Sequence, residues 1–321
     1  MPRWDRTFSL CVGLILLAAG VTTYSFCLGL LFFSDDIPHL RWLHVRDAWQ
    51  ILSDFHGIGR YRPLPFLVWK ALWSWQGPLS APLLHAVNIG FHLLNAFLVW
   101  GLIQGQHWRR GTILGPAVAF LFLLYPFSYQ AISWIGALTH LMGAAMIMGA
   151  LRLHQMSRSR PSRWLSMGSL ALTFLAPFAN ENGFLIAPLL VLLLLTRQER
   201  PSLREALRET RLHWLCTLGS LGLWSIAPQD ATLSPVPIWN LEARYQNGVY
   251  LLQGLSYPVA PLARHIWAAG WGLDDLQSVL LISVPVVLLW GIILWKAGGG
   301  RPLLLAVGWF VLAIMPVCLN T

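Results

Sequence analysis

The chain has 321 residues, of which 56% are hydrophobic, 11% are charged and 18 are tryptophan. Soluble domains carry about 25% charged residues, so this composition excludes a soluble globular domain and indicates a membrane protein. The net charge of +9 indicates no nucleic-acid partner, because the basic residues cluster in short loops between apolar runs, the pattern of membrane orientation. Cys11, Cys27, Cys216 and Cys318 all fall in apolar segments without paired spacing, so neither a disulfide framework nor a metal site is indicated.

The first element is the apolar run Phe8 to Phe33, 26 residues, enough to cross a hydrocarbon core of about 30 Å with some tilt. It is too long for a signal-peptide core and no small-residue cleavage site follows, so it is expected to stay as an anchor. It ends abruptly at Asp35-Asp36. Two carboxylates at a membrane edge are candidates for a base, a metal ligand or a cation site, with simple capping towards water as the alternative.

Residues 34–80 form a long loop between the first two spans. Ile37 to Leu52 and Leu64 to Trp75 are amphipathic and read as interfacial helices, with their tryptophans towards lipid. Between them stands Arg60-Tyr61-Arg62-Pro63-Leu64. The arginine fork suits a phosphate, although Arg-Pro also suits the start of a helix.

The next run, about 81–104, carries His85, Asn88, His92 and Asn95 at spacings of three, four and three, which place all four on one helical face. Such a stripe turns to the bundle interior, either to bond other helices or to line a substrate cavity. His85 and His92 stand two turns apart, about 10 Å, so they do not form a metal pair.

Further runs at about 112–125, 138–151, 164–179, 183–196, 212–227, 278–295 and 302–318 bring the expected number of transmembrane helices to about nine. A stretch at about 248–262, with Gly254, Pro258 and Pro261, reads as a broken or re-entrant segment. Between two runs lies Asn180-Glu181-Asn182-Gly183, and Glu181 is the only acid between Asp54 and Glu199. A helix connection explains the asparagines and glycine but does not require the glutamate, which is therefore a candidate site residue. Arg244, Arg264 and His265 add polar groups late in the chain.

The arginine loops set the expected direction. With the N-terminus inside, Arg3 and Arg6, Arg109-Arg110, the arginines of 152–163 and those of 197–211 all fall on the cytoplasmic side. Residues 34–80, 126–137, 180–183 and 228–277 then share the outer face. The fold expected is an all-α polytopic membrane protein, a single integral membrane domain over 1–321. Its abrupt end after an apolar run reads as a truncated chain or a compact bundle. The membrane is expected to be a bacterial inner membrane, or the endoplasmic reticulum if the source is eukaryotic.

Several stretches together carry a resemblance. In order they are Asp35-Asp36, Tyr61-Arg62-Pro63-Leu64, Leu84-His85-Ala86-Val87-Asn88, His92-Leu93-Leu94-Asn95-Ala96, Leu124-Tyr125-Pro126, Ala131-Ile132-Ser133-Trp134-Ile135 and Asn180-Glu181. Gly308-Trp309-Phe310 and Pro316 follow late in the chain. The series resembles the GT-C superfamily of polyprenyl-phosphate-sugar-dependent glycosyltransferases, nearest to the protein O-mannosyltransferase-like group that includes enzymes bearing tetratricopeptide repeats.

The resemblance implies a core over about 1–227 with additional helices over 228–321. It implies a polyprenyl-phosphate-linked sugar donor in the lipid bilayer and an acceptor hydroxyl on a protein, lipid or glycan, with inversion at the sugar. Asp35 or Asp36 would be the base. Arg62 would hold the phosphate, with Arg244 or Arg264 behind it, and Tyr61, His85, Asn88, His92 and Glu181 would complete the binding site. A divalent metal ion at the Asp pair is compatible with this reading. The chain departs from the group's pattern at Tyr125-Pro126, Gln130, Leu138-Thr139 and Asn180, and no tetratricopeptide array follows. Two other classes remain open. A transporter or flippase would use the broken segment and the midplane His and Asn residues, and a non-catalytic scaffold would account for the departures.

Overall fold

The structure is a computed structural model that describes residues 6–55, 58–106, 111–125, 128–197, 201–227, 262–270, 272–298 and 300–319, with single positions between 242 and 256. Every regular element among the described residues is helical. Four helices are long and apolar enough to cross a membrane: Thr7–Gly29, Ala81–Gly105, Ile135–Ser159 and Asp275–Lys296. Shorter apolar helices are Ile113–Leu123, Glu181–Leu195 and Gly300–Ala313. At 1.5 Å per residue a 25-residue helix reaches about 37 Å, more than the hydrocarbon core. The chain is a helical membrane protein.

Two compact units divide it. The first comprises Met1–Leu190 and Leu203–Thr232. Its elements are α1 (Arg6–Tyr24), α2 (Asp36–His44), α3 (Ala48–Ser53), α4 (Pro63–Gln76), α5 (Ala81–Gly105), α6 (Gly111–Leu123), α7 (Ser128–Ser133), α8 (Leu138–Ser159), α9 (Arg163–Leu175), the start of α10 (Ile186–Leu195), α11 (Leu203–Glu209) and α12 (Arg211–Ile226). Helix α5 is central and packs on α1, α6 and α8; α8 packs in turn on α9, and α9 on α12.

The polar stripe of α5 faces that interior. His85, Asn88 and Asn95 are wholly buried and His92 nearly so. Asn88 Nδ2 donates to the Trp134 carbonyl at 2.9 Å, and Asn95 Nδ2 to the Leu141 carbonyl at 3.0 Å. His92 Nε2 lies 3.1 Å from the Leu123 carbonyl, which also accepts from Tyr24 Oη at 2.6 Å. Leu123 is the last residue of α6, so its carbonyl has no partner within its own helix. Two side chains from α1 and α5 satisfy it, and that fixes where α6 can stop.

The loop after the first span differs from its expected form. The segment Ile37–Leu52 is two helices, because Asp47 opens a new one with a capping box. Its carboxylate accepts from Gln50 N at 2.8 Å, and Gln50 Oε1 accepts from Asp47 N at 2.9 Å. The tryptophans divide as well. Trp49 and Trp75 are 73% and 78% exposed, whereas Trp42 and Trp69 are buried. The latter two pack edge-on with Phe66 in a cluster that also holds Leu43, Ile51, Phe55, Leu84 and Leu138. These helices therefore seal one end of the bundle as well as lying along it. Buried aromatic rings of about 150–250 Å² each dominate such a cluster.

The second unit comprises Val191–Ser202 and Leu233–Thr321. Its described helices are α13 (Leu262–Ala268), α14 (Asp275–Gly298) and α15 (Gly300–Leu319), and α14 packs on both others. Asp274 starts α14 with another reciprocal pair of bonds to Gln277, at 2.7 and 3.2 Å. Most of the expected broken segment 248–262, together with Arg244 and the side chain of Arg264, lies outside the described residues.

Close backbone approach at Gly183 holds the α9–α10 connection together, since a Cβ there would overlap the backbone of Ala176 and Pro177. Gly183→Ala is expected to lower stability by about 1–3 kcal/mol through overpacking. Gly90→Ala, on an exposed face of α5 with nothing within 4 Å, is expected to be neutral or to gain up to about 1 kcal/mol of helix propensity. Thermal unfolding of both variants in detergent checks this, and equal midpoints would contradict it.

Candidate functional site

One end of the first unit gathers the loop before α4, the start of α8 and the α9–α10 connection. That connection is built from two 3-10 turns, Ala176–Phe178 and Glu181–Leu185. Between them Asn180 is extended, and its side chain accepts from Asn182 N at 3.1 Å to open the second turn. The turn presents the Glu181 carboxylate, which is buried, towards the loop before α4.

Arg62 precedes Pro63 at the first position of α4, so its backbone needs no intrahelical bond and its side chain can reach away. It meets Glu181 Oε2 through Nη2 at 2.7 Å and Nε at 2.9 Å. Arg60 Nη1 stands 3.6 Å from Oε1. That is an ion pair too long to be a hydrogen bond, and Oε1 has no hydrogen-bond partner. Two guanidinium groups thus converge on one carboxylate, with their own side chains 30% and 21% exposed.

Tyr61 between them is a strut. Its hydroxyl donates to the Leu52 carbonyl at 2.7 Å, its own carbonyl accepts from Trp224 Nε1 at 3.2 Å, and its ring lies edge-on to Phe55 and Phe178. Burial pushes its phenol pKa up, so the group serves as a neutral donor.

The two aspartates are unlike. Asp35 is exposed and Asp36 is wholly buried. Ser34, with φ of 50°, makes the sharp turn that leads into them, and as consecutive residues at a helix start they project to different sides. Asp36 Oδ2 accepts from Phe33 N at 3.2 Å and Oδ1 from Gly136 N at 3.0 Å. Gly136 is the second residue of the helical run Ile135–Ser159, so the carboxylate sits where unpaired amides and the helix dipole favour negative charge. Burial raises the Asp36 pKa, opposed by those two amide bonds and by His39 and His85 nearby. Burial also lowers the pKa of His39, opposed by Asp35 and Asp36.

His85 is within electrostatic reach of Asp36 and close to the Ile132 and Leu30 carbonyls, at no geometry that closes a hydrogen bond. Asn88 and His92 have their donors committed to the Trp134 and Leu123 carbonyls, deeper in the helix packing. The structure therefore brings together Arg60, Arg62 and Glu181, and separately joins Asp36 to the start of α8.

Sequence reasoning passed over His140. It is exposed, its Nδ1 is 3.2 Å from Asn180 Nδ2, and it lies within electrostatic reach of both Arg62 and Glu181. The available signal was an ionisable group one turn into a span, beside Leu138 and Thr139. A second unanticipated cluster stands at the Arg158 end of the same unit, where Glu209 pairs with Arg158 at 2.7 Å and with His154 at 3.2 Å.

The surroundings of the Asp pair bear on the expected divalent ion. Both oxygens of Asp36 are held by backbone amides, and no group of three or more His, Cys, Asp or Glu able to hold a metal occurs among the described residues. Comparison with known proteins finds no family model and no curated relative that matches the chain.

Removing one partner of the Arg62–Glu181 pair leaves a buried charge with only the longer Arg60 contact. Arg62→Ala is expected to destabilise the protein by about 2 kcal/mol, and Arg62→Ala with Glu181→Gln by less than the sum of the two single changes. Unfolding of the three variants in detergent measures the coupling, and strict additivity would mean that the pair contributes nothing.

Proposed function

We propose that the chain is a membrane glycosyltransferase that moves a sugar from a polyprenyl-phosphate carrier to an acceptor hydroxyl, with inversion. In this reading it spans a bacterial inner membrane about nine times with its N-terminus cytoplasmic, and the Glu181 end of the first unit faces outward. The observation that carries it is the convergence of Arg60 and Arg62 on the single carboxylate of Glu181. Guanidinium groups held in place by a carboxylate are suited to take the oxygens of a phosphodiester donor.

The chemistry follows from that placement of the arginines. The acceptor oxygen attacks the anomeric carbon, the bond from that carbon to the phosphate oxygen breaks, and the electron pair leaves with polyprenyl phosphate. Negative charge grows on the leaving phosphate, so the arginines stabilise the transition state more than the ground state. Asp35, the exposed member of the pair, takes the acceptor proton. Asp36 positions it, because its two amide bonds tie the turn after the first span to the start of α8. The burial of Asp36 favours a second reading, a non-catalytic scaffold in which that carboxylate is purely a latch.

The purified protein is incubated with a panel of polyprenyl-phosphate sugars while release of polyprenyl phosphate is followed. Asp35→Asn is expected to lower turnover by about 10²- to 10⁴-fold with unchanged donor binding, the range for loss of a general base. Asp36→Asn is expected to lower the unfolding midpoint as well as turnover, because an amide cannot accept from both Phe33 and Gly136 through two oxygens. Release that Asp35→Asn leaves unaltered overturns Asp35 as the base, and no release with any sugar favours the scaffold.

A further inference from the structure

We propose that His140 is a phosphate-binding residue of this site, a neutral imidazole that presents its Nε2–H to a non-bridging phosphate oxygen. The assignment rests on the transferase reading above and adds a residue to it. Its basis is a chain of hydrogen bonds that determines the tautomer. Asn182 N donates to Asn180 Oδ1 at 3.1 Å, which orients the Asn180 amide so that Nδ2 faces His140 Nδ1 at 3.2 Å. An amide nitrogen can only donate, so Nδ1 is the acceptor, and the neutral ring carries its proton on Nε2.

The packing holds this arrangement in place. Asn180 is 3% exposed, and its Cβ would stand 2.6 Å from a Cβ added at Gly143, one turn further along α8. Glycine at that position lets the connection lie flat on α8, directly beside His140. Asn180 therefore has little freedom to turn its amide. The imidazole itself is exposed, in contrast to the buried Glu181 next to Asn180. It lies within electrostatic reach of Arg62 and Glu181. A neutral N–H adds a directed donor there without a third cation competing for Glu181, and anionic oxygens take such donors strongly. The alternative is that His140 and Asn180 merely bond α8 to the neighbouring connection.

The two are separated by binding measurements on the full chain in nanodiscs of neutral phospholipid. The probes are a short-chain polyprenyl phosphate, the corresponding polyprenol and inorganic phosphate. Wild type is expected to bind the lipid phosphate more tightly than the alcohol, and His140→Ala to lose about 10- to 100-fold of that affinity, the loss of one hydrogen bond to a charged group. His140→Gln, whose side-chain NH₂ can take the place of Nε2–H, is expected to stay within about threefold of wild type. Alcohol binding should be the same in all three. His140→Ala binding the lipid phosphate as well as wild type overturns the assignment of His140 alone. Parallel loss of phosphate and alcohol binding in both variants assigns His140 to packing, which overturns it too. Tight binding of inorganic phosphate that His140→Ala abolishes, without binding of the lipid, keeps the phosphate contact and removes the carrier. A wild type that does not distinguish lipid phosphate from alcohol overturns the transferase reading and this residue together.

Discussion

A helix that ends inside an apolar surround leaves carbonyls and amides unpaired, and each unmet group costs several kcal/mol where water cannot replace the partner. The first unit meets this constraint with side chains from distant parts of the chain. Tyr24 and His92 satisfy the last carbonyl of α6, and Asn88 bonds the Trp134 carbonyl where α7 gives way to the next helical run. Asp36 satisfies the Gly136 amide at the start of that run. Polar residues that look costly in a membrane span are thus the means by which short and broken helices are accommodated.

The same logic separates structure from chemistry at the Glu181 end. Residues whose hydrogen bonds run to backbone groups, such as Asp36, Asn88 and His92, set distances between helices. Arg60, Arg62 and Glu181, by contrast, pair side chain to side chain, and His140 meets the side chain of Asn180. Tyr61 illustrates the first kind within a motif of the second. Its hydroxyl is bound to Leu52 and its carbonyl to Trp224, so it holds its two arginine neighbours at a defined separation.

Several of these features were legible in the sequence. The spacing of His85, Asn88, His92 and Asn95 specified a buried face, and the isolation of Glu181 among 126 acid-free residues on one side and the next acid at Glu199 marked it as unusual. What was not legible depended on contacts between remote residues. Nothing local says that Arg62 reaches Glu181 across 119 positions, or that Trp69 turns inward while Trp75 turns out. The break at Asp47 was present locally as Asp and Gln three apart, but amphipathic periodicity ran through it and concealed it. His140 was hidden because its spacing resembles no motif, and its interest arises only from Asn180 lying against it. Short apolar runs such as Ile113–Leu123 and Arg211–Ile226 are the least determined part of the span count, since length alone does not separate a short crossing from a buried core helix.

The wide separation of Arg62 and Glu181 along the chain also bears on how the protein is made. Asp36 and Gly136 are both present once α8 has been synthesised, so the latch between them can close while the C-terminal half is still emerging. Glu181 arrives later, carried on the turn between α9 and α10. Until that connection is made, Arg60 and Arg62 lack their carboxylate. Closure of the charged cluster is therefore a late event, which depends on a segment made more than a hundred residues after the arginines.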